Sequence, residues 1–516
     1  MTGQMETNSG GRPRDLRLDF FRGLAMFIIL VSHTPENRWA IWIPARFGFS
    51  DATEIFVFCS GMASALAFGG VFIARGWFMG AARVAYRVWQ VYWAHISVFF
   101  ATALTMALID RSGLTPADRV YTEWWPVSGL FLDPEAALVG LFTLSYTPPL
   151  FDILPMYLAI LAMIPAIMLA SRLGGRGAVL ALVAAVWLAA QLALWGQSLK
   201  GAPTHALGEA LAALGDGVSF LILPANPWQT LGWYFNPFGW QLVFFTGFAF
   251  GMKWLPAPPV RRGLVLLAIA YLLLSLPFAW FKIYANDFYL PPDWAVRLWV
   301  AGARDFLDPL IGKSGVGLLR YLHFLALAYL AWVAVGPGGV RLNTGWRAPG
   351  PVRGRAVLAA LALLVVVTIP YAYAEEIRAV APTSYIRMQA TLIRLGLFVA
   401  PEQIGLLQIA HGLALAALVW SAIGAGWRGR VTRDWFLAAA PVIRKVGTQS
   451  LAVFMVSITG SQVAGWALDM IGRNSFTVAL VNLSGFAVLI GTAYLVGWFK
   501  SQPWRRRDPH PGAPPA

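Results

Sequence analysis

Four ionisable residues near the start of the sequence have the types and spacing of a general-base site. Arg22 and His33 are eleven positions apart, which in an α-helix is close to three turns, so both project from one face about 16 Å apart along the axis. Asp51 and Glu54 are three apart where the next apolar segment begins, and they share a helix face. A histidine beside carboxylates can remove a proton from a hydroxyl, because the carboxylate fixes the tautomer and stabilises the imidazolium.

Each of these residues also has an ordinary explanation. Arg22 could be a membrane anchor whose head reaches the headgroups, and His33 could simply end a helix. Asp51 and Glu54 could be the acids that a helix N-terminus favours. Ionisable groups are costly in or beside a bilayer, however, so their clustering favours a functional site.

The elements that must position these residues are membrane helices. The chain has 516 residues, of which 58% are hydrophobic and 12% charged, and apolar stretches of about 18 residues or more recur from end to end. We therefore predict an all-α fold, a polytopic integral membrane helical bundle of about twelve transmembrane helices, forming a single domain over 1–516. The predicted spans are 18–35, 50–73, 85–109, 150–171, 177–196, 238–255, 262–281, 316–336, 355–374, 402–425, 447–470 and 475–499.

The distribution of charge predicts the orientation of these spans. The N-terminus, every second connection and the C-terminus together carry 25 of the 39 basic residues but only 5 of the 24 acidic ones. By the positive-inside rule both termini are cytoplasmic, with 1–17 and 501–516 as tails. The net charge of +15 is thus explained by topology without nucleic acid. We expect a multi-pass membrane protein that also contacts membrane lipid.

Further polar residues extend the site on both sides of the membrane. Arg75, Arg83 and Arg87 lie at the predicted cytoplasmic side, where with Arg22 they form a basic rim able to hold phosphates, although each could simply set orientation. His95 lies deep within a predicted span, where polar residues usually face the bundle interior. The single cysteine, Cys59, lies in an apolar run, so we expect no disulfide and no metal site.

The long connections on the opposite side are rich in aromatic and polar residues. They lie near 110–149, 197–237, 282–315 and 375–401. Trp228, Trp233 and Tyr234 could be headgroup anchors, and as a group they could also stack against sugar rings.

The second half contains an internal repeat. Residues 317–332 align without a gap with 405–420 and are identical at ten of sixteen positions, including His323 with His411. We predict a duplicated helical hairpin over about 262–335 and 353–425, with chance similarity between apolar helices as the alternative.

Several motifs together resemble a known family. Arg22-x10-His33, the run from Glu54 to Gly61 and the Arg83/Arg87 pair resemble the transmembrane acyltransferase superfamily, family three. The sequence is more closely similar to the OpgC proteins, succinyltransferases of osmoregulated periplasmic glucans. The segments that carry this similarity are LDFFRGLAM, SDATEIFVFCSGM, DILPMY, NPFGWQL, RYLHFLALAY and VGTQSLAVF.

The resemblance implies roles for named residues. It implies transfer of a succinyl group from cytoplasmic succinyl-CoA, a co-substrate and not a permanently bound cofactor, to a hydroxyl of a periplasmic glucan. His33 would be the base, Asp51 or Glu54 would orient it, and Arg22 with Arg83, Arg87 and Arg75 would bind the donor. Further candidates for lining the site are Ser60, His95, Asp152, Asn236, Arg320 and His323. Of the two hairpins we favour the first, because it keeps the arginine, Arg320, where the second has Gln408.

Two other functions stay open at this point. One is a related sugar or polysaccharide O-acyltransferase that uses acetyl-CoA, with the same chemistry and a different acyl pocket. The other is a transporter or exporter, in which the charged groups bind a substrate and no bond is made.

Overall fold

The computed structural model describes residues 15–116, 118–199, 206–285, 294–345, 381–394 and 427–505. Over these residues the chain is helical and has no strand, only an isolated bridge between Pro224 and Gly232. The helices are α1 Leu16–His33, α2 Ala52–Ser64, α3 Gly70–Arg75, α4 Trp77–Arg111, α5 Trp125–Leu132, α6 Pro134–Thr143, α7 Ile153–Leu199, α8 Ala206–Gly217, α9 Pro237–Gly251, α10 Arg262–Ala279, α11 Phe281–Tyr284, α12 Ala295–Ile311, α13 Leu318–Val335, α14 Arg341–Thr344, α15 Pro382–Arg394, α16 Trp427–Thr448, α17 Ser450–Ile471 and α18 Ser475–Ser501.

Seven helices in the described residues are long and apolar enough to cross a membrane. They are Ala52–Arg75, Trp77–Arg111, Ile153–Ser198, Arg262–Ala279, Leu318–Val335, Ser450–Ile471 and Ser475–Ser501. Helices α1 and α9 also occupy predicted spans, but α1 carries three charged residues and α9 has only 15 residues. Two predicted spans, 355–374 and 402–425, lie outside the described residues, as does most of the second hairpin. The all-α fold is confirmed, whereas the count of twelve and the orientation stay predictions.

Some helix boundaries differ from those predicted. The predicted spans 150–171 and 177–196 are the two arms of α7, which break at Gly174 and Gly175, where Gly175 has a φ of +64°. Helix α2 continues through a wider π turn at Ala65–Gly69 into α3. The connections near 110–149, 197–237 and 282–315 contain the shorter helices α5, α6, α8 and α12. Apolar runs of this length identify spans, while short amphipathic helices between spans leave a weaker pattern.

Polar caps fix where the helices around the site begin. Asp51 caps α2 by accepting a hydrogen bond from the Thr53 N–H at 2.6 Å, and Glu54 accepts one from the Asp51 N–H at 2.8 Å. This reciprocal arrangement is a capping box, which satisfies backbone donors that the first helical turn leaves unpaired. Asn236 caps α9 by accepting from the N–H groups of Phe238 and Gly239. The helices therefore start at the residues that the sequence marks.

Close crossings at glycines hold the helices that carry the site. Gly61 of α2 lies against the backbone carbonyl of Phe244 in α9, and Gly247 of α9 lies against that of Phe58 in α2. In α1, Gly23 lies against the backbone of Ile443 in α16. A Cβ at any of these glycines would collide with backbone, so small residues here let helices approach closely, as in other membrane bundles.

One apolar core joins α1, α2, α4, α7, α9 and α17. Its largest fully buried side chains include Trp240, Phe99, Phe244, Phe248 and Phe454. On the outside, large apolar side chains are exposed along α4, α10 and α18, such as Phe78, Leu274 and Leu495. Outward-facing apolar surface on such long helices is what lipid contact requires.

Candidate active site

The first large cavity, which we call the His33 cavity, has a volume of about 1080 Å³. It lies where α1 ends and where α2 and α7 begin, beside the loop that precedes α13. Its polar wall includes His33, Asp51, Asp152, Lys313 and Ser314. Its aromatic wall includes Tyr146, Trp228, Trp233, Tyr234 and Phe235. One cavity therefore combines ionisable groups with a set of flat apolar rings that suits a sugar.

Two ion pairs fix the acids at the start of α2. Asp51 Oδ2 lies 2.6 Å from Lys313 Nζ, and Glu54 Oε1 lies 2.6 Å from Arg320 Nη1. Burial alone would raise the pKa of Asp51, but the charges of Lys313 and Arg320 hold that pKa below its usual range. Burial alone would lower the pKa of Lys313, but the carboxylates of Asp51 and Glu54 raise it. Asp51 is therefore a carboxylate and Lys313 an ammonium near neutral pH.

His33 lies on the wall of this cavity without the expected carboxylate contact. Neither Asp51 nor Glu54 forms a hydrogen bond with His33. Asp51 pairs with Lys313 and Glu54 pairs with Arg320 instead. The buried Nδ1 of His33 has no hydrogen-bond partner among the described residues, and neither does Thr147 Oγ1 on the same wall. Buried polar atoms normally have partners, so these two atoms mark positions where a substrate or water can bond.

Asp152 is the second acid of the cavity and is placed at the start of α7. It is 7% exposed, and burial raises its pKa to about 7, although the Lys313 charge lowers it. Its carboxyl is thus close to half-protonated at neutral pH, so it can donate or accept a hydrogen bond inside the cavity.

A second cavity, the Arg22 cavity, lies towards the other end of α1 and has a volume of about 590 Å³. Arg22, Arg83, Arg87 and Lys500 line it together with Ser60. Arg22 Nη2 contacts Ser450 Oγ. Arg75 lies in a neighbouring cavity of about 530 Å³, whose wall also includes Arg83. Four basic side chains around one cavity have the charge and geometry that suit phosphate groups.

Two stacked aromatic rings lie where the two cavities approach each other. Along α2 the His33 cavity reaches Thr53 and the Arg22 cavity begins at Ser60. Phe56 lies between them and stacks on Phe454 of α17, with ring centroids 6.0 Å apart and an interplanar angle of 18°. We call these two rings the Phe56–Phe454 partition. The cavities thus open from opposite ends of the same helices and come within about two turns of each other.

Comparison with known proteins assigns the family. A family model described as OpgC protein matches residues 14–401 and 343–501, which together cover most of the chain and overlap at 343–401. The chain belongs to the OpgC family. No curated protein and no solved structure matches it. Family membership supports a membrane acyltransferase of the OpgC type, with an acyl donor and a glucan acceptor.

In this OpgC protein the first hairpin contributes directly to the site. Arg320 pairs with Glu54, and its Nε also donates to the Ile311 carbonyl at 3.2 Å. His323 Nδ1 lies 2.7 Å from Ser50 Oγ, just before the α2 cap, and Gly48 packs against its ring. These contacts hold the start of α2 and do not place His323 on the His33 cavity wall. The corresponding His411 lies outside the described residues.

Two other sequence candidates, Asn236 and His95, line neither the His33 cavity nor the Arg22 cavity. Asn236 is buried; its Oδ1 accepts the hydrogen bonds that cap α9, and its Nδ2 donates to the Leu221 carbonyl. Its side chain therefore supports the cavity wall. His95 is fully buried in α4, and neither ring nitrogen has a partner among the described residues. Among those residues, no group of three His, Cys, Asp or Glu side chains could hold a metal ion.

Sequence reasoning missed Lys313, which pairs with Asp51 on the cavity wall. A signal existed: this lysine directly precedes an apolar helix on the side where acids outnumber bases. Basic residues at that position are not explained by the positive-inside rule.

Proposed function

We propose that the protein transfers a succinyl group from succinyl-CoA to a hydroxyl of a periplasmic glucan across a bacterial inner membrane. The observation that carries the proposal is the pair of cavities at opposite ends of α1. One has four basic side chains suited to the phosphates of coenzyme A, and the other has a histidine and an aromatic wall suited to a sugar hydroxyl.

The donor would enter through the Arg22 cavity. Guanidinium groups bind phosphate through paired hydrogen bonds, so Arg22, Arg83 and Arg87 hold the nucleotide end of coenzyme A, and Arg75 extends this surface. Arg22 and His33 are about 16 Å apart along the helix axis. The pantetheine arm covers that distance and displaces the rings of the Phe56–Phe454 partition to bring the thioester to the His33 cavity.

The acceptor would react in the His33 cavity. His33 removes the proton from the glucan hydroxyl while the oxygen attacks the thioester carbonyl, the C–O bond forms and the C–S bond breaks. The departing sulfur of coenzyme A takes that proton, which returns His33 to its neutral form. The thioester and the hydroxyl supply all atoms of the ester and of the departing thiol.

The test measures release of free coenzyme A by the full-length protein in lipid nanodiscs. Succinyl-CoA with isolated glucan should give thiol release and a negatively charged glucan, and His33→Gln should lose both while still inserting. His510→Gln, which changes the same residue type in the predicted cytoplasmic tail, serves as the control. Absence of glucan-dependent thiol release, or equal activity of His33→Gln, overturns the proposal. Glucan movement across the membrane without thiol release would support a transporter in its place.

A further inference from the structure

The loop between α12 and α13 is held by bonds to its backbone, which leaves the Lys313 side chain to face the cavity. Its carbonyl groups accept hydrogen bonds from two neighbouring helices, α7 and α9, the latter including its cap residue Asn236. The donors are Trp240 Nε1 to Lys313, the Asn236 N–H to Ser314, Gln191 Nε2 to Gly315 and Trp187 Nε1 to Val316. A backbone fixed at four consecutive residues presents its lysine in one place.

Lys313 has hydrogen-bonding capacity beyond its ion pair. The ammonium has three N–H donors, of which one bonds to Asp51. Its side chain is 25% exposed, and it is part of the His33 cavity wall. The other basic residue on that wall, Arg46, is exposed and donates to the Ala40 carbonyl. Lys313 is therefore the cation that a ligand deep in the cavity would meet.

The charges around Lys313 leave room for one more anion. Lys313 with Asp51 and Arg320 with Glu54 cancel in pairs, and Asp152 is partly neutral because burial raises its pKa to about 7. An entering carboxylate therefore meets an ammonium without a fixed excess of negative charge. A neutral acyl group would fill the same space without a charge-assisted hydrogen bond.

We propose that Lys313 binds the free carboxylate of a dicarboxylic acyl group and so makes the enzyme prefer succinyl to acetyl donors. The inference rests on the proposed acyl transfer and adds the residue that recognises the acyl group. The thioester carbonyl and the carboxylate of a succinyl group are separated by two methylenes, so one can face His33 while the other meets Lys313, both within the same cavity.

The internal repeat provides an independent argument for a specific role. In the gap-free alignment of 317–332 with 405–420, Arg320 corresponds to Gln408, and the four residues that precede Gly405, from Pro401 to Ile404, include no lysine. The second copy of the sequence thus keeps the histidine and the apolar run but has neither cation at these positions. If the lysine served only to build the hairpin, both copies would be expected to contain it.

The experiment compares succinyl-CoA with acetyl-CoA as donors for the full-length protein in nanodiscs, with glucan as acceptor. Lys313→Met should lower the ratio of the two kcat/KM values, succinyl over acetyl, at least tenfold, and most of the change should lie in KM for succinyl-CoA. Lys313→Arg should retain most of the preference. Lys253→Met, which removes a lysine far from this cavity, should leave the ratio unchanged.

A double variant separates recognition from folding. Lys313→Met alone leaves the Asp51 carboxylate without its partner and could destabilise the fold. The double variant Lys313→Gln with Asp51→Asn replaces the ion pair by a neutral hydrogen bond, and the succinyl-to-acetyl ratio of kcat/KM should still fall. An equal loss with both donors, or an unchanged ratio, overturns the inference. A wild-type preference for acetyl-CoA overturns it while leaving acyl transfer intact. Absence of glucan-dependent thiol release from either donor in the wild type overturns the proposed function itself.

Discussion

Replacing Arg320 by methionine should strongly destabilise the protein. Arg320 and Glu54 form a 2.6 Å ion pair whose side chains are only 11% and 0% exposed. Removing one partner of a buried pair leaves an uncompensated charge and costs about 3–5 kcal/mol. Since about 1.4 kcal/mol is a factor of ten, the folded-to-unfolded ratio should fall by roughly two to three and a half powers of ten.

The restoring variant gives the sharper test. Glu54→Gln with Arg320→Met removes both charges, and the amide oxygen of the new glutamine can still accept the bond that the Asp51 N–H donates to Glu54. Stability should return most of the way, because replacing a whole buried pair is often close to neutral. A surface control is Arg17→Met, whose partner Asp15 is partly exposed; that pair should cost at most about 1 kcal/mol.

The assay measures the free energy of unfolding in mixed micelles for the wild type, the two single variants Glu54→Gln and Arg320→Met, and the double variant. The pH is mildly alkaline so that the carboxyl groups are ionised. The coupling between Glu54 and Arg320 should be large and favourable. Two results would refute the ion-pair account: Arg320→Met as stable as Arg17→Met, or a double variant no more stable than Arg320→Met alone.

Three further predictions follow from the two cavities and the helix crossings. Burial raises the pKa of Asp152 to about 7, so its carboxyl ionises as pH rises through 7 and then repels an anionic acyl group. KM for succinyl-CoA should therefore rise over that pH range, and Asp152→Asn should abolish the rise. An unchanged pH profile in that variant would contradict the role. Arg22→Ala should raise KM for the donor about ten- to hundredfold with normal membrane insertion, whereas Arg172→Ala should not; a variant that fails to insert would refute this. Gly61→Leu should lower the free energy of unfolding by about 1–3 kcal/mol or more, because the new side chain collides with the Phe244 backbone. Gly70→Leu should be tolerated, since a Cβ at Gly70 meets nothing within 4 Å. Equal losses of stability in the two variants would contradict the close helix crossing at Gly61.

Local pattern in the sequence was sufficient for the described helices and for the residues that begin α2. Apolar runs located the described spans, and Asp51 with Glu54 marked the start of α2, because both signals depend only on neighbouring residues. The spacing of Arg22 and His33 on one helix likewise predicted two ends of a path, and the two residues line different cavities.

What the sequence could not provide is which distant groups neutralise each other. Asp51 and Glu54 were expected to face His33, but Lys313 and Arg320, more than 250 positions away, hold them. His323 and Asn236 were expected in the site and instead bond to backbone and hydroxyl groups beside it. Tertiary packing determines these contacts, and the periodicity of the sequence contains no information about them.

The Phe56–Phe454 partition has a consequence for the energetics of the cell. The two cavities approach each other along the same helices and leave little apolar material between them. A membrane that stores a proton gradient tolerates no continuous file of water. Stacked phenyl rings exclude water without offering a proton any polar atom to which it can bind. In the proposed transfer, the two side chains that yield to an acyl chain would also close the route for water and protons between turnovers.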